Sequence, residues 1–199
     1  MKRNFIFILV CIAMFACKRE PSTTNTSGTT ATETTGVTAT NTAPTTTAAV
    51  TSTAPLSAAD KDFVMKVAEG GMLEVDLGQL AAAKAMSQDV KDFGNRMVTD
   101  HGKANDELKA IAAGKGLTVP TQPGDEEKKL SNELSQKSGA AFDKAYMAEM
   151  IKGHDMVAKN LDKASKELTD PDLKAFVAKT LPVVQDHLNM AKQIDSKLK

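Results

Sequence analysis

The chain has 199 residues, of which 25 are basic and 25 acidic, so its formal net charge at neutral pH is zero. This balance provides no basic surface for a polyanion, and we expect no nucleic-acid partner. The whole sequence has only two cysteines, which are too few for a disulfide scaffold.

The N-terminus combines a positively charged start with a short apolar run. Lys2 and Arg3 precede the twelve mostly apolar residues 5–16, and Cys17 follows. This order is typical of a secretory signal peptide, and the run is too short for a permanent transmembrane helix. We predict a lipoprotein signal peptide over residues 1–16, because Met14 to Cys17 resembles a lipobox, in which the cysteine is lipidated. An ordinary secreted protein cut near Ala16 is the alternative.

Residues 17–56 form a segment rich in Thr, Ser, Ala and Pro. Such a composition cannot bury enough apolar surface to offset chain entropy, so we predict a disordered linker. It is either a tether for the folded domain or a passive spacer. The lipid on Cys17 would attach the protein to a membrane of the bacterial cell envelope, facing the periplasm or exposed at the surface.

The first half of the folded part, residues 57–199, is predicted to contain two long helices joined by a hinge near residues 85–88. The first begins at Ser57 or Asp60, both good N-caps, and the second begins after Ser87 and stops at residues 114–116. Apolar spacing of three and four residues predicts the buried stripe of the first helix. Its members are Phe63, Val67, Gly70, Glu74, Leu77 and Ala81.

The second half begins with a connector that contains two prolines, followed by a short helix over residues 125–137. A third long helix is predicted over 139–168. The fourth starts with Asp170 as N-cap and Pro171 in its first turn, and it continues past Pro182 to the C-terminus. The predicted fold class is all-α, a four-helix bundle with a short extra helix in the connector between its second and third helices.

The three histidines of the chain, His101, His154 and His187, fall near the middle of three different long helices and on their apolar stripes. Glu74 lies about eleven residues from the hinge on the first helix, and His101 about thirteen on the second, which differ by about 3 Å in height. All four side chains could therefore share one layer. Three imidazoles and one carboxylate suit a single transition-metal ion such as zinc, copper or iron.

Two other interpretations of this layer stay open. The imidazoles could form a metal-free core by hydrogen bonding to a hydroxyl or carboxylate such as Tyr146 or Glu74, in a structural or interaction module. Alternatively, the ion could have an open coordination position and serve a metalloenzyme. The sequence contains no G-x-S-x-G, phosphate-binding glycine loop, C-x-x-C or H-E-x-x-H motif, so we favour binding over catalysis.

Several side chains near the histidines are candidates to surround the ligands. Met97 and Met150 lie one turn before His101 and His154. Their thioethers would suit a soft ion, but methionine on a core stripe usually fills space. Three aspartates adjoin the histidines in sequence: Asp100, Asp155 and Asp186. Since neighbouring residues of a helix diverge by about 100 degrees, we expect these carboxylates to face solvent or another helix.

Four strings of the sequence closely resemble a bacterial family called domain of unknown function 4142 (DUF4142). They are Val90-Lys91-Asp92-Phe93, Met97-Val98-Thr99-Asp100-His101, Ser138 to Tyr146 with His154, and Leu181-Pro182 with His187-Leu188. The resemblance covers residues 60–199. It implies a ferritin-like fold and a location in the cell envelope, and the recurrent residues of the family fall on Glu74, His101, His154 and His187.

The resemblance also limits the chemistry that we expect. Ferritin-like di-iron proteins supply two Glu-x-x-His pairs. Here Val98, Ile151 and Val184 lie three residues before the histidines, which argues against ferroxidase or oxygenase chemistry. The sequence is compatible with either a monomer or a homodimer.

Overall fold

The computed structural model describes residues 54–198, which form five α-helices and no strand. The helices are α1 (Ala58–Lys84), α2 (Gln88–Gly114), α3 (Asp125–Ser135), α4 (Gly139–Glu167) and α5 (Pro171–Asp195). The predicted all-α bundle with an extra helix in its connector is confirmed. The predicted signal peptide, Cys17 and the linker up to residue 53 lie outside the described residues.

The four long helices pack around a common axis in the order α1, α2, α5, α4, so that each is antiparallel to its neighbours. The connector between α2 and α4 therefore runs the length of the bundle, which is the single long crossover of a ferritin-like fold. The helix within this connector, α3, packs on α1 and α4. The α1–α4 side is the least closely packed of the four sides.

Helix α1 begins with a reciprocal capping box formed by Ser57 and Asp60. The Ser57 hydroxyl accepts the Asp60 N–H at 3.1 Å, and the Asp60 carboxylate accepts the Ser57 N–H at 3.2 Å. Asp60 also accepts the backbone N–H and the hydroxyl of Thr169, which tie α1 to the α4–α5 turn. Burial opposes ionisation of Asp60, but hydrogen bonds to its carboxylate from the hydroxyl and N–H groups of Thr169 and Ser57 outweigh it and lower its pKa to about 2.

The α1–α2 hinge depends on a residue that the sequence pattern did not indicate. Ser87 occupies the N-cap position of α2 as predicted, but its side chain makes no capping hydrogen bond. Instead, the backbone N–H groups of Met86 and Ser87 donate to the Asp143 carboxylate of α4, at 3.0 and 2.7 Å. Asp143 is buried, so this contact fixes the start of α4 against the hinge.

Glycines bring α1 and α2 into backbone contact. A Cβ atom at Gly78 would lie 2.6 Å from the carbonyl oxygen of Gly94, and one at Gly94 would lie 2.7 Å from that of Gly78. Nearer the start of α1, a Cβ at Gly71 would overlap the side chain of Asn105 on α2. Only glycine fits where two helix backbones approach this closely.

The predicted stripe of α1 is wrong by one residue over its first half. Val64, Ala68 and Gly71 are buried, whereas the predicted Phe63, Val67 and Gly70 are only half-buried. Because α1 packs closely on α2, its face toward α4 stays partly open. From Glu74 onward the prediction is confirmed, since Glu74, Leu77 and Ala81 are buried.

Two apolar cores are stacked along the bundle axis. One lies at the end that contains the α1–α2 hinge and includes Leu77, Val90, Phe93, Met97, Phe142, Tyr146, Met150, Ala191 and Ile194. The other lies at the opposite end and includes Leu56, Val64, Ala68, Leu108, Ala112, Leu161, Leu173, Phe176 and Val184. In every long helix, the histidine or Glu74 lies between residues of these two cores. A polar layer therefore separates them.

Replacing Asp143 by alanine is expected to lower the free energy of unfolding by about 1–3 kcal/mol, because two N–H groups of the hinge lose their acceptor. The measurement is urea denaturation of the wild type and the variant. Asp76 on α1 is exposed, so Asp76→Ala provides the matched control and should change the unfolding midpoint little. Equal effects of the two substitutions would contradict the role assigned to Asp143.

Candidate metal centre

Three imidazole rings meet at the polar layer, one each from α2, α4 and α5. The ring centroids of His101, His154 and His187 are separated by 5.6, 5.4 and 5.4 Å, which is nearly an equilateral triangle. One nitrogen of each ring lies within 4.8 Å of a nitrogen of the other two. His154 and His187 are almost completely buried, and His101 is half-buried. The predicted convergence of the three histidines is thus observed.

In two of these rings, one nitrogen is hydrogen-bonded and the other has no partner among the described residues. Nδ1 of His154 lies 2.9 Å from the carbonyl oxygen of Met150, to which it donates. Nε2 of His187 lies 3.0 Å from the Asp100 carboxylate and donates to it. Among the described residues, the other nitrogens, His154 Nε2 and His187 Nδ1, have no hydrogen-bond partner, and neither has His101 Nε2. Three unpartnered nitrogens therefore lie in one buried cluster.

A charged chain on the surface supports His187 from outside the cluster. Asp100 accepts from Nε of Arg96 at 3.2 Å, and the same guanidinium pairs with Asp186 at 2.8 Å. As expected from helix geometry, Asp100 faces a neighbouring helix, where it orients the His187 ring in the way that carboxylates orient metal-binding histidines. Asp155 takes no part, because it pairs with Lys159 on the surface.

Arg96 was not singled out from the sequence. Its spacing of four residues from Asp100 is the one signal that could have indicated it. The guanidinium also contacts the Met190 sulfur at 3.1 Å.

The rings rest on the hinge-side apolar core. The ring centroid of Phe93 lies 6.3 Å from those of His154, His187 and Tyr146, and each pair of rings is arranged edge to face. Met97 and Met150 are buried in the same core, where Met150 acts on the site through its carbonyl oxygen. The Tyr146 ring stacks on Phe142, and its hydroxyl has no hydrogen-bond partner in the part of the chain that the structure describes.

Glu74 stands beside the three-histidine cluster and is not part of it. Its Oε1 lies 3.9 Å from Nδ1 of His154, the nitrogen already engaged by Met150, and its Oε2 has no hydrogen-bond partner among residues 54–198. Burial, reinforced by the nearby charge of Glu149, raises the pKa of Glu74 to about 8. At neutral pH this side chain is therefore mainly a neutral carboxylic acid.

Burial favours the neutral form of all three imidazoles. Burial lowers the pKa of His101 to about 3 and that of His154 to about 4, and repulsion between the rings adds to the effect. Burial also lowers the pKa of His187 despite the attraction of Asp100. Neutral imidazole is the form that ligates metal ions, so no proton has to be displaced before an ion binds.

An ion at this centre would require a small contraction of the cluster. Three nitrogens about 2.1 Å from a tetrahedral ion lie about 3.4 Å from one another, whereas the present nitrogens lie within 4.8 Å. Side-chain movements of about one ångström or less would bring them to that separation. The arrangement is therefore close to the geometry of three-histidine metal sites.

A cleft of about 590 Å³ opens between α1 and α4 and reaches the polar layer. Glu74 and His101 line this cleft, whereas His154 and His187 do not. Gly70, which the sequence placed at a helix contact, also lines it, and a Cβ atom there would meet no neighbour within 4 Å. The cluster is thus accessible from the cleft at His101, whereas His154 and His187 are enclosed.

The family model of a domain of unknown function, DUF4142, matches residues 45–194. The chain belongs to the DUF4142 family. This confirms the resemblance drawn from the sequence strings. No curated protein and no solved structure matches the chain. Within the described part of this DUF4142 protein, no helix has the length and apolar character needed to cross a membrane.

Removing the Glu74 carboxyl should change how stability depends on pH. With chelator present, the high pKa of Glu74 stabilises the fold fully below pH 4.5, and this contribution is lost as pH rises toward 8. The histidines act in the opposite sense, because their stabilising contribution is complete above pH 6.5 and is lost as pH falls toward 3–4.

Of these two contributions to stability, only that of Glu74 changes with pH between pH 6.5 and 8. The free energy of unfolding of the wild type should therefore fall with rising pH, and that of Glu74→Gln should fall less. Urea denaturation at several pH values measures both slopes. Glu69→Gln, on the same helix but outside the cleft, should retain the wild-type slope; an identical slope in Glu74→Gln would contradict the assignment.

Proposed function

We propose that this DUF4142 protein binds one transition-metal ion through His101, His154 and His187, as a binding or homeostasis protein of the bacterial cell envelope. The proposal is carried by one observation: three imidazoles from three helices each place a ring nitrogen within 4.8 Å of the other two rings, and each of them has a buried nitrogen without a hydrogen-bond partner in the described chain. Glu74, predicted as a fourth ligand, lies on the far side of His154 from its unpartnered nitrogen, so we restrict the ligand set to the histidines.

The metal-free alternative is less well supported by the contacts of the layer. In a hydrogen-bonded core, each buried ring nitrogen would have a donor or acceptor, because burying one without a partner costs about 1–3 kcal/mol. The described hydroxyl and carboxyl groups that could serve, Tyr146 and Oε2 of Glu74, make no such bond. A metal ion would give all three nitrogens a partner at once.

The donor set favours a particular class of ion. Neutral imidazoles bind zinc, copper, nickel and iron well, whereas magnesium and calcium require oxygen ligands. The Asp100 hydrogen bond increases the basicity of His187, as in carboxylate–histidine–zinc arrangements. We therefore infer an ion such as zinc, copper or iron.

Catalysis is a second candidate, favoured by the cleft. Because the cleft reaches His101, an ion held there would be approachable by a small molecule, as an open coordination position requires. Because His154 and His187 are enclosed, the cluster supports storage or transfer of the ion equally well.

The proposed cellular location rests on the N-terminal sequence, with Cys17 as the lipidated residue.

Adding excess zinc to chelator-treated protein should raise its melting temperature by about 5–10 °C at a free metal concentration of about 100 times the dissociation constant. Magnesium and calcium should leave it unchanged. His101→Ala, His154→Ala and His187→Ala should each abolish most of the shift. Calorimetry measures the melting temperature, and elemental analysis of the natively expressed protein measures the bound metal.

Phe93→Leu is the matched control for these variants, because Phe93 supports the rings without offering a ligand atom. It should lower the melting temperature and keep the metal-induced shift. The proposal is refuted if zinc, copper and iron all fail to shift the wild type and no metal copurifies with it.

Lipidation predicts that the wild-type protein fractionates with membranes and that Cys17→Ser is released into the soluble fraction. The physical reason is that the acyl chains supply the apolar surface that holds a lipoprotein on a bilayer. Intact mass should also show the lipid on the wild type and not on Cys17→Ser. The Cys11→Ser variant, altered within the predicted signal peptide, is the control and should remain membrane-bound.

A further inference from the structure

The cleft between α1 and α4 has the size and walls of a small-molecule site. Its volume of about 590 Å³ falls in the range that ligand-binding pockets occupy. Apolar side chains from both helices form much of its lining, among them Phe63, Val67, Leu73, Met156 and Val157. A cleft with such walls favours a ligand that has an apolar body.

The charges along the cleft are unevenly distributed. Among the described residues, the carboxyl groups that line it are Asp62, Glu74, Glu126, Glu127, Glu149 and Glu167, and the lysines are Lys66 and Lys163. Each lysine pairs with a carboxylate of its own helix: Lys66 with Asp62 at 2.8 Å, and Lys163 with Glu167 at 3.7 Å. Glu149 pairs with Lys152 of its own helix at 3.4 Å and Glu74 is mainly neutral, but Glu126 and Glu127 still give the lining of the cleft an excess of acid.

Glu74 marks the inner end of this acidic region. Its side chain is about nine-tenths buried, it lines the cleft, and its Oε2 has no hydrogen-bond partner in the described residues. Glu149 of α4 lies near enough to act on it electrostatically. A buried carboxyl oxygen without a partner is costly, and a ligand that donates a hydrogen bond to it would remove that cost.

We propose that the cleft binds an amphiphilic organic cation, with a primary ammonium group between Glu74 and Glu149 and an alkyl body along the apolar walls of α1 and α4. In this arrangement the ammonium group donates a hydrogen bond to Oε2 of Glu74, the oxygen that has no partner among the described residues. An anionic amphiphile would meet the excess of carboxylates, while both lysines are already paired. This site is separate from the three unpartnered nitrogens of the histidine cluster.

The test uses octylammonium as the probe and octanoate as the charge-reversed control of equal chain length. Both are titrated calorimetrically into purified, chelator-treated full chain, so that no bound metal contributes. Octylammonium should bind with a stoichiometry of one and at least about tenfold more tightly than octanoate. Glu74→Gln should weaken octylammonium binding by about tenfold or more, whereas Glu69→Gln, on α1 outside the cleft, should not.

A steric variant tests the cleft independently of charge. A Cβ at Gly70 or at Gly114 meets no atom within 4 Å, but only Gly70 lines the cleft. Gly70→Leu should therefore weaken octylammonium binding by about tenfold or more, and Gly114→Leu should leave it unchanged. Urea unfolding midpoints verify that each variant is folded.

Three results would overturn the proposal: no binding of octylammonium by the folded wild type, octanoate binding as tightly, or unchanged affinity in Glu74→Gln. Repeating the titration with His154→Ala separates this site from the metal centre. That variant should lose the metal-induced thermal shift and retain octylammonium binding within about threefold.

Discussion

The polar layer between two apolar cores is the constraint on which this protein depends. Burying three imidazoles and a carboxyl group is unfavourable unless each is neutral or has a partner, and here burial itself keeps all four neutral near pH 7. Because each group comes from a different long helix, their meeting fixes the relative height of all four helices. A shift of one turn in any helix would bring a polar group into an apolar core.

The contacts around this layer give the rings different roles. Hydrogen bonds from His154 to the Met150 carbonyl and from His187 to Asp100 orient those two rings, whereas His101 borders the cleft. The cluster is thus fixed on two sides and accessible on the third. The opening arises because α1 packs on α2 through Gly78 and Gly94 and leaves its other face only loosely covered by α4.

The histidine positions were predictable because a helix repeats every 3.6 residues and two helices joined by a short hinge have matching heights. The same reasoning located Glu74 in the layer, but the structure places this side chain beside the three-histidine cluster. Its oxygen faces the already engaged nitrogen of His154, and no spacing along one helix indicates on which side of a neighbouring ring a carboxyl group will lie. Asp143 was missed because its partners, Met86 and Ser87, are far away in sequence. Arg96 lies four residues from Asp100, but this spacing does not show that the guanidinium also reaches Asp186 on α5.

The sequence by itself determined the helices, their caps at Ser57 and Asp170, and the level at which the polar residues would meet. These properties follow from local periodicity and from the short-range hydrogen bonds of capping residues. Only the tertiary structure decided which ring nitrogens are unpartnered, where Glu74 lies and where the bundle opens. Those properties depend on side-chain rotamers and helix separations, which are set by the simultaneous packing of several helices against one another.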